Sequence, residues 1–505
     1  MGMCDGAAGV PAAEYGGGGM NFNSGVFLIF LPIVVAVYWL LPHKVRKYWL
    51  LAASYFFYMY ANPALVVLLL ASTILDYCCS WGMEKYRGNR PVMKLLLLVS
   101  ILGNLGMLFT FKYFDFFADT VNSLCTVLGL SYQIPQLGLI LPVGISFYTF
   151  QTMSYSIDVY RGDFHAEKNF PTFALYVTYF PQLVAGPIEN PRNLMPQLRK
   201  EHHWNWEDFS AGARLLLSGF FRKCVVADFC GIFVNHIFGN LENANSLAIV
   251  CAGALFAIQI YCDFAGYSEI AAGCARMMGV RLMRNFDRPY LSQSATELFR
   301  RWHISLNQWF TQYVYIPLGG GRKGKVRKLL NLTIVFTLCG LWHGARWTYV
   351  LWGLYAALCL VVENLLNIPN RFGPEWDTPL GRLLRRSGTF MLYIVSALIF
   401  RSESLGQLGV VCYRVVTQIG FSTAYFQQAF TDLGLTSLSL AQLVLCIVAM
   451  AKLSTWGQYD LPAAKTAYGY ARRLCAGVYG VVLIALCWLA LLATQDSAIF
   501  AYFQF

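Results

Sequence analysis

Charged side chains are scarce in this chain of 505 residues, since Asp, Glu, Lys and Arg together make up only 13% of it. An average soluble domain carries about 25% charged residues. Half that share leaves too little charge to cover the surface of a soluble protein of this length. The composition therefore excludes an ordinary soluble globule, and the mean hydropathy of +0.49 agrees with that exclusion.

Metal-binding signatures are missing as well. The 15 cysteines lie mostly within apolar stretches, and the sequence contains no Cys-x-x-Cys pair and no His/Cys cluster with metal-ligand spacing. Small apolar fillers between helices explain such cysteines better than a metal or redox site does. The sequence therefore predicts no bound metal ion.

The amino terminus lacks a basic segment followed by an apolar core, which is the pattern of a cleavable signal peptide. Residues 1–19 are instead small and rich in glycine. We expect residues 1–19 to form a disordered Gly-rich extension and residues 20–505 to form a single membrane domain.

Long apolar runs occupy most of the remaining chain, and about 20 apolar residues suffice for a helix to cross a bilayer. The net charge is +12, and its basic residues are concentrated in short blocks between the runs, at 43–47, 84–94 and 322–328. Such blocks mark cytoplasmic loops under the positive-inside rule, so no nucleic-acid partner is expected. We predict an all-α polytopic membrane protein with about ten to twelve crossings.

Three stretches depart from simple spans. Asn62-Pro63 interrupts the apolar stretch 48–80, which predicts two short helices joined by a turn. Residues 115–136 are amphipathic and are predicted to lie at the membrane interface. Residues 281–328 are polar, aromatic and charged, so they cannot face lipid and must lie at the interface or inside the protein beside a hydrated cavity.

Two histidines stand out among the seven. His343 lies in Gly340-Leu341-Trp342-His343-Gly344, within an apolar stretch at 329–366. An ionisable group at membrane depth indicates function, and neutral imidazole can act as a general base. The two glycines leave room beside the imidazole for a substrate or a second chain. A structural histidine bonded to a neighbouring helix is the alternative.

The second histidine, His303, lies in Arg301-Trp302-His303-Ile304-Ser305 of the polar stretch. An interfacial helix with an incidental histidine explains this pattern equally well. Asp263 and Glu269 are two carboxylates in another apolar segment. We predict a structural role for them, paired with arginines of the group Arg276–Arg288.

Six segments in a fixed order resemble the membrane-bound O-acyltransferase family, and within it the bacterial alginate O-acetyltransferase-like branch. The likeness is densest over residues 141–355. The segments are Leu141–Phe147, Phe180–Ile188, Asp263–Ser268, Asn285–Tyr290, Arg301–Leu306 and Gly340–Ala345.

The resemblance implies a ring of tilted helices around a central tunnel in the bacterial cytoplasmic membrane. It implies that His343 matches the family's catalytic histidine and that His303 matches its second active-site position. Trp302, Asn307, Trp342 and Gly344 are expected to contact substrate. No tightly bound cofactor is expected, because the acyl donor is a thioester, either acetyl-CoA or an acyl-carrier protein.

The resemblance also implies partners on both sides of the membrane. A polysaccharide acceptor and an extracytoplasmic transferase of the SGNH type are expected outside, and the thioester donor inside. The basic loop Arg322–Lys328 could attract coenzyme A phosphates, although membrane topology alone explains its charge. The branch often carries a further His-Gly where this chain reads Gly353-Leu354-Tyr355-Ala356-Ala357, and this departure bears on the donor or the partner.

Two other functions stay open. One is D-alanyl transfer to teichoic acid from a carrier-protein thioester, which is the activity of a sister branch. The other is transport or flipping of a lipid-linked sugar, with His303 and His343 as proton-relay groups. The sequence Gly-Leu-Trp-His-Gly-Ala-Arg-Trp-Thr around His343 is closer to the alginate-type branch than to the sister branch.

Overall fold

The computed structural model describes residues 20–60, 62–368 and 377–456, together with 477, 480–482, 485 and 486. Within those residues all regular structure is helical and no strand occurs. The prediction of an all-α protein is therefore confirmed. The extension expected at residues 1–19 lies outside the described residues.

The helices vary widely in length, and several are short or joined through single turns of other helical types. In chain order they are α1 (Gly25–Leu40), α2 (His43–Met59), α3 (Val66–Lys85), α4 (Arg90–Leu108), α5 (Phe114–Val127), α6 (Ile145–Arg161), α7 (Phe170–Thr178), α8 (Phe180–Leu183), α9 (Pro191–Arg199), α10 (Trp206–Phe220), α11 (Asp228–Phe238), α12 (Ser246–Met277), α13 (Ala295–Arg301), α14 (Ile304–Phe310), α15 (Lys325–His343), α16 (Trp347–Leu365), α17 (Pro379–Arg401), α18 (Leu405–Thr417), α19 (Thr423–Asp432) and α20 (Ser437–Trp456).

Five helical stretches in the described part of the chain are long and apolar enough to cross a membrane, or six if the bent pair α19 and α20 counts as one span. The five are Pro63–Lys85, Arg90–Val127, Ser246–Met277, Trp347–Leu365 and Pro379–Arg401. The chain is thus a multi-pass membrane protein. The expected ten to twelve crossings also counted shorter and broken apolar stretches, so that number and the central tunnel stay predictions.

The break expected at Asn62-Pro63 is confirmed, because α2 ends at Met59 and a short 3₁₀ turn over Pro63–Leu65 leads into α3. The interfacial position expected for residues 115–136 stays a prediction, and the structure divides these residues between a helix and a segment without regular structure. A π-helical turn at Phe109–Tyr113 joins α4 directly to α5, which runs on to Val127. The helix stops near Gly129, whose positive φ of 70° suits glycine at a helix end.

The apolar stretch expected at 329–366 divides into two antiparallel helices, α15 and α16, at the turn Gly344–Arg346. The two helices approach closely because small residues face each other. A Cβ on Gly340 would meet the carbonyl oxygen of Tyr349, and one on Gly353 would meet the carbonyl oxygen of Phe336. Small residues allow this kind of close approach between membrane helices. His343 is the last residue of α15, so this packing fixes its position along the axis of the bundle.

A buried charge cluster joins the start of α11 and the preceding π-helical turn, Phe221–Ala227, to α12. Lys223 Nζ lies 2.9 Å from Asp263 and 2.8 Å from Asp228, and Arg222 Nε lies 3.0 Å from Glu269. The structural role predicted for the two carboxylates of α12 has direct support, but the predicted partners were wrong. The arginines of the group Arg276–Arg288 lie at or beyond the carboxyl end of α12, away from Asp263 and Glu269. Arg276 pairs with Asp208 instead.

The basic loops of the chain meet on one side of the bundle, here called the basic face. Arg46, before the second apolar stretch, donates a 2.7 Å hydrogen bond to the carbonyl of His202. Arg281, after α12, pairs with Asp208 at 2.9 Å, and Arg87, after α3, lies 3.2 Å from His165. This clustering agrees with the positive-inside pattern, and the cytoplasmic position of the basic face stays a prediction.

Candidate active site

His343 lies at the carboxyl end of α15, whereas the basic residues of Arg322–Lys328 lie at and before its amino end. The helix begins at Lys325, and at 1.5 Å per residue its 19 residues carry His343 about 27 Å along the helix axis. Aromatic rings surround the imidazole, with Trp352 and Phe400 at centroid distances of 5.2 and 5.4 Å. His343 is only partly buried, so part of its side chain is accessible.

His303 belongs to the polar stretch predicted to lie at the interface or inside the protein, and the structure buries it there, whereas residues 321–327 of the same stretch are exposed. It lies at the break between α13 and α14, with a positive φ of 45°. Such a conformation costs about 1–3 kcal/mol for a residue other than glycine and is often found at functional sites. The side chain is buried, at 2% exposure.

A chain of hydrogen bonds holds the backbone around His303. Asn285 accepts from the backbone N–H of Ile304 at 2.9 Å through its carbonyl and from the Ser305 hydroxyl at 2.6 Å through its side chain. The same Asn285 donates to Ser268 of α12 at 3.0 Å. Ser305 in turn accepts from the backbone N–H of Ile188 at 3.0 Å. Four of the six recognised segments thus meet here and fix the position of His303.

The structure brings the two histidines together. Their ring centroids are 6.5 Å apart, although 39 residues separate them in the sequence. Phe147 of α6 stacks against His303 at 6.3 Å, and Phe264 of α12 meets it edge-on at 4.6 Å. The pair therefore lies where the polar stretch, α6, α12 and α15 converge, walled by aromatic rings.

The ring of Trp342 lies beside both histidines. Its ring centroid is 5.8 Å from that of His303 and 5.1 Å from that of His343. The indole N–H is buried and has no hydrogen-bond partner among the described residues. A buried donor without a partner costs about 1–3 kcal/mol, and such a donor calls for a functional or solvent explanation. This donor is the group in the site best suited to bind a carbonyl oxygen.

The other two polar residues expected in the site are engaged in structure. Asn307 donates through its amide nitrogen to the carbonyl of Trp302 at 2.7 Å and also to that of Phe299. The ring of Trp302 packs at 5.1 Å from both Phe286 and Tyr393. These contacts stabilise the backbone before His303, and direct substrate binding by Asn307 or Trp302 stays a prediction.

The glycines beside His343 serve helix packing. A Cβ on Gly344 would collide with the ring of Tyr349, just as one on Gly340 would meet the backbone of α16. The prediction that both glycines leave room for a substrate or a second chain is wrong on the side that faces α16, because Tyr349 and α16 of the same chain occupy that space. Binding of substrate by the backbone of Gly344 stays a prediction.

The sequence reasoning missed Lys112, which lies in the π-helical turn between α4 and α5. Its ammonium group donates to the carbonyl of Trp342 at 2.7 Å and lies 3.4 Å from that of His343. One sequence feature could have indicated Lys112. It is a lysine between two aromatic residues, in Phe111-Lys112-Tyr113, and it lies 22 residues after Arg90 in an apolar stretch. A lysine there is also typical of a side chain that reaches toward the membrane surface.

At the position of the missing second His-Gly, the structure shows close packing. Gly353 lies against α15, and Ala356 and Ala357 are each 1% exposed. Tyr355 donates its hydroxyl to the carbonyl of Leu392 on α17 at 2.9 Å. The residues of this chain at those positions therefore join α16 to its neighbours. Across the described ranges, no group of three or more His, Cys, Asp or Glu side chains has the geometry to hold a metal ion.

Comparison with known proteins gives concordant matches. The model of the membrane-bound O-acyltransferase family matches residues 166–367, which include both histidines. The probable alginate O-acetylase AlgI of Pseudomonas syringae is 38% identical over 87% of this chain and 82% of its own length. The peptidoglycan O-acetyltransferase of Helicobacter pylori is 30% identical over 76% of this chain and 77% of its own. The teichoic acid D-alanyltransferase of Bacillus subtilis is 25% identical over 47% of this chain and 62% of its own.

Proposed function

The chain belongs to the membrane-bound O-acyltransferase family and is a multi-pass membrane O-acyltransferase, and we propose that it acetylates hydroxyl groups of a cell-surface or secreted polysaccharide. The proposed donor is a cytoplasmic thioester, acetyl-CoA or an acyl-carrier protein. The relatives named as alginate and peptidoglycan O-acetyltransferases, at 38% and 30% identity over most of the chain, support this substrate class. The proposed location is the bacterial cytoplasmic membrane.

The observation that carries the proposal is the pair His303 and His343, 6.5 Å apart and walled by aromatic rings. Acyl transfer from a thioester to a hydroxyl needs a base to take the hydroxyl proton and a donor to stabilise the charge on the carbonyl oxygen. An aromatic, largely dry surrounding strengthens both effects, because water no longer screens them.

In the proposed reaction, His343 accepts the proton of the acceptor hydroxyl as that oxygen attacks the thioester carbonyl carbon. The indole N–H of Trp342 is the proposed donor to the oxyanion. The intermediate then collapses, the carbon–sulfur bond breaks, and the proton passes from His343 to the leaving thiolate. The products are the O-acyl ester and the free thiol. His303 is the proposed second polar group, held in its strained conformation to face the reacting atoms.

The position of His343 supports a transfer between the two sides of the membrane. It lies about 27 Å along α15 from Lys325, which belongs to the basic loop Arg322–Lys328. A donor whose phosphates bind to this loop must therefore extend its acyl arm along α15 to reach the imidazole. The acceptor, or an extracytoplasmic SGNH-type transferase acting as an intermediate carrier, would approach from the opposite side.

The teichoic acid D-alanyltransferase covers less than half of this chain, so D-alanyl transfer is the second candidate. The alternative of a transporter for a lipid-linked sugar has no counterpart among these relatives, which are named as acetylases and transferases. We therefore retain the alanyl donor as an outcome to be tested and set transport aside.

The test uses sealed vesicles from cells that make the full chain, with donors added on the exposed cytoplasmic side. Acetyl-CoA labelled in the acetyl group is expected to give base-labile label on polysaccharide, and vesicles lacking the chain are expected to give none. A D-alanyl carrier protein is supplied in a parallel sample. Label only from the D-alanyl carrier would overturn the acetyl assignment, and equal label with and without the chain would overturn the transferase.

A further inference from the structure

Lys112 holds an ammonium group in a partly buried position within a membrane bundle, where a buried charge costs several kcal/mol unless its surroundings compensate. Three oxygens lie near its Nζ. They are the carbonyl of Trp342 at 2.7 Å, the hydroxyl of Ser146 at 3.1 Å and the carbonyl of His343 at 3.4 Å. All three belong to uncharged groups. Their dipoles therefore contribute to the compensation of the ammonium charge.

Two of the three oxygens, the carbonyls of Trp342 and His343, belong to the carboxyl end of α15. The last four carbonyls of an α-helix have no partner within the helix, and together they carry a partial negative charge of about half an electron. Gly344 follows α15 in an extended conformation, with φ at −169°, so the chain leaves the helix axis at once. The terminal carbonyls of α15 thus need donors from another element.

The π-helical turn supplies those donors from two successive residues. Tyr113 donates its hydroxyl to the carbonyl of Leu341 at 3.0 Å, and Lys112 serves the next two carbonyls in the chain. The Lys112 ammonium group also lies 5.9 Å from the ring centroid of Trp342. Turns of π type are frequent at functional sites, because their extra residue turns side chains away from the regular helical direction. Here the turn directs both side chains at the end of α15.

We propose that Lys112 is a positioning residue that caps the carboxyl end of α15 and so fixes the imidazole of His343 for acyl transfer. The inference rests on the proposed function, because it assumes that His343 performs the chemistry. Removal of the cap leaves the last turn of α15 free to fray, and His343 and Trp342 both lie in that turn. A displacement of about 1 Å at a reacting group can lower a rate about 100-fold.

The test compares steady-state kinetics of the full chain with Lys112→Met, Lys112→Arg and Tyr113→Phe in the acetyl-transfer assay. For Lys112→Met we expect kcat to fall about 100-fold while KM for the donor stays within about twofold, since the cap serves geometry rather than donor binding. Arginine keeps the charge and can donate to carbonyls, so Lys112→Arg should recover kcat to within about tenfold of the parent. Tyr113→Phe removes one cap donor without a charge and should lower kcat less.

The matched control is Lys94→Met, which removes an exposed lysine of the same helical stretch and should keep the parent kcat. Thermal unfolding in detergent confirms that each variant is folded. If Lys112→Met does not fold, Lys112→Arg and Tyr113→Phe carry the test, and a parent kcat in Tyr113→Phe overturns the capping inference. A Lys112→Met enzyme with parent kcat also overturns it. If His343→Ala is itself fully active, the proposed function fails first, and the two failures are therefore distinguishable.

Discussion

Two buried polar regions of this bundle differ in what surrounds them. The charge cluster of Lys223, Arg222 and the carboxylates of α12 pairs opposite charges at 2.8–3.0 Å across neighbouring helices. The histidine pair is surrounded by aromatic rings, and its nearest cation, Lys112, contacts backbone carbonyls. Buried ion pairs hold their side chains in one arrangement, because separating the charges costs free energy. Imidazole groups among aromatic rings can instead exchange a proton with a bound substrate. The contacts of the first region support a structural role, and for the second region we propose chemistry.

The largest effect should come from breaking the charge cluster. Lys223→Met removes the ammonium group beside Asp263, which is fully buried, and the loss of one partner of a buried pair costs about 3–5 kcal/mol. Thermal unfolding in detergent should show a much lower midpoint, while the folded fraction keeps its specific activity. Lys325→Met, at an exposed position, is the control. An unchanged midpoint for Lys223→Met would remove the basis for calling the cluster structural.

The next effect concerns the histidine pair, because the packing of α15 against α16 fixes the position of His343. Gly340→Ala adds a Cβ that would meet the carbonyl oxygen of Tyr349 on α16. Overpacking of this kind costs about 1–3 kcal/mol and should also lower kcat, since the last turn of α15 must move. Gly409→Ala, where no atom lies within 4 Å of the added Cβ, should be neutral. Equal behaviour of the two variants in unfolding and kinetics would contradict the packing account.

A smaller and more specific effect is expected at Trp342. Trp342→Phe keeps an aromatic ring but removes the buried N–H that has no described partner. If that N–H binds the oxyanion, kcat should fall about 10- to 100-fold with little change in unfolding temperature. Trp206→Phe, at an exposed tryptophan, serves as the control. A Trp342→Phe protein with the parent kcat would show that the indole N–H does not bind the oxyanion and that another group does.

The smallest effect lies outside both regions, at the basic face. Burial lowers the pKa of His202, and the neighbouring Lys200, His43 and Arg46 lower that pKa further. Below about pH 6.5 the unfolded chain therefore binds a proton that the folded chain does not, so stability should fall slightly as the pH drops through that value. His202→Gln should flatten this slope in unfolding midpoints between about pH 7.5 and pH 5.5. An identical slope in both proteins would exclude His202 as its source.

Composition and motif order predicted much of this architecture. Low charge and long apolar runs indicated a helical membrane protein, Asn62-Pro63 indicated a break, and the charges of the polar stretch excluded lipid contact. These features depend on local composition, which a sequence displays directly. The pairing of His303 with His343 was expected only through the family resemblance, since no local pattern encodes a contact between residues so far apart.

The features that were missed all depend on contacts between helices. Asp263 and Glu269 take Lys223 and Arg222 as partners because α12 lies beside the π-helical turn that follows α10. Lys112 reaches the end of α15 only because a π-helical turn redirects it. The glycines beside His343 were predicted to leave room for a substrate or a second chain, because the sequence does not show that α16 packs against them. Side-chain partners across a bundle follow from packing, which periodicity alone does not specify.

The central claim is that His343 performs acyl transfer, and the most direct measurement compares His343→Ala with His236→Ala in the labelled acetyl-transfer assay. His236 is an exposed histidine near the end of α11 and serves as the matched control. Loss of a general base should lower kcat about 10²- to 10⁴-fold, while the unfolding midpoint and the His236→Ala rate stay near those of the parent. A folded His343→Ala protein that transfers acetyl groups at the parent rate would contradict the account.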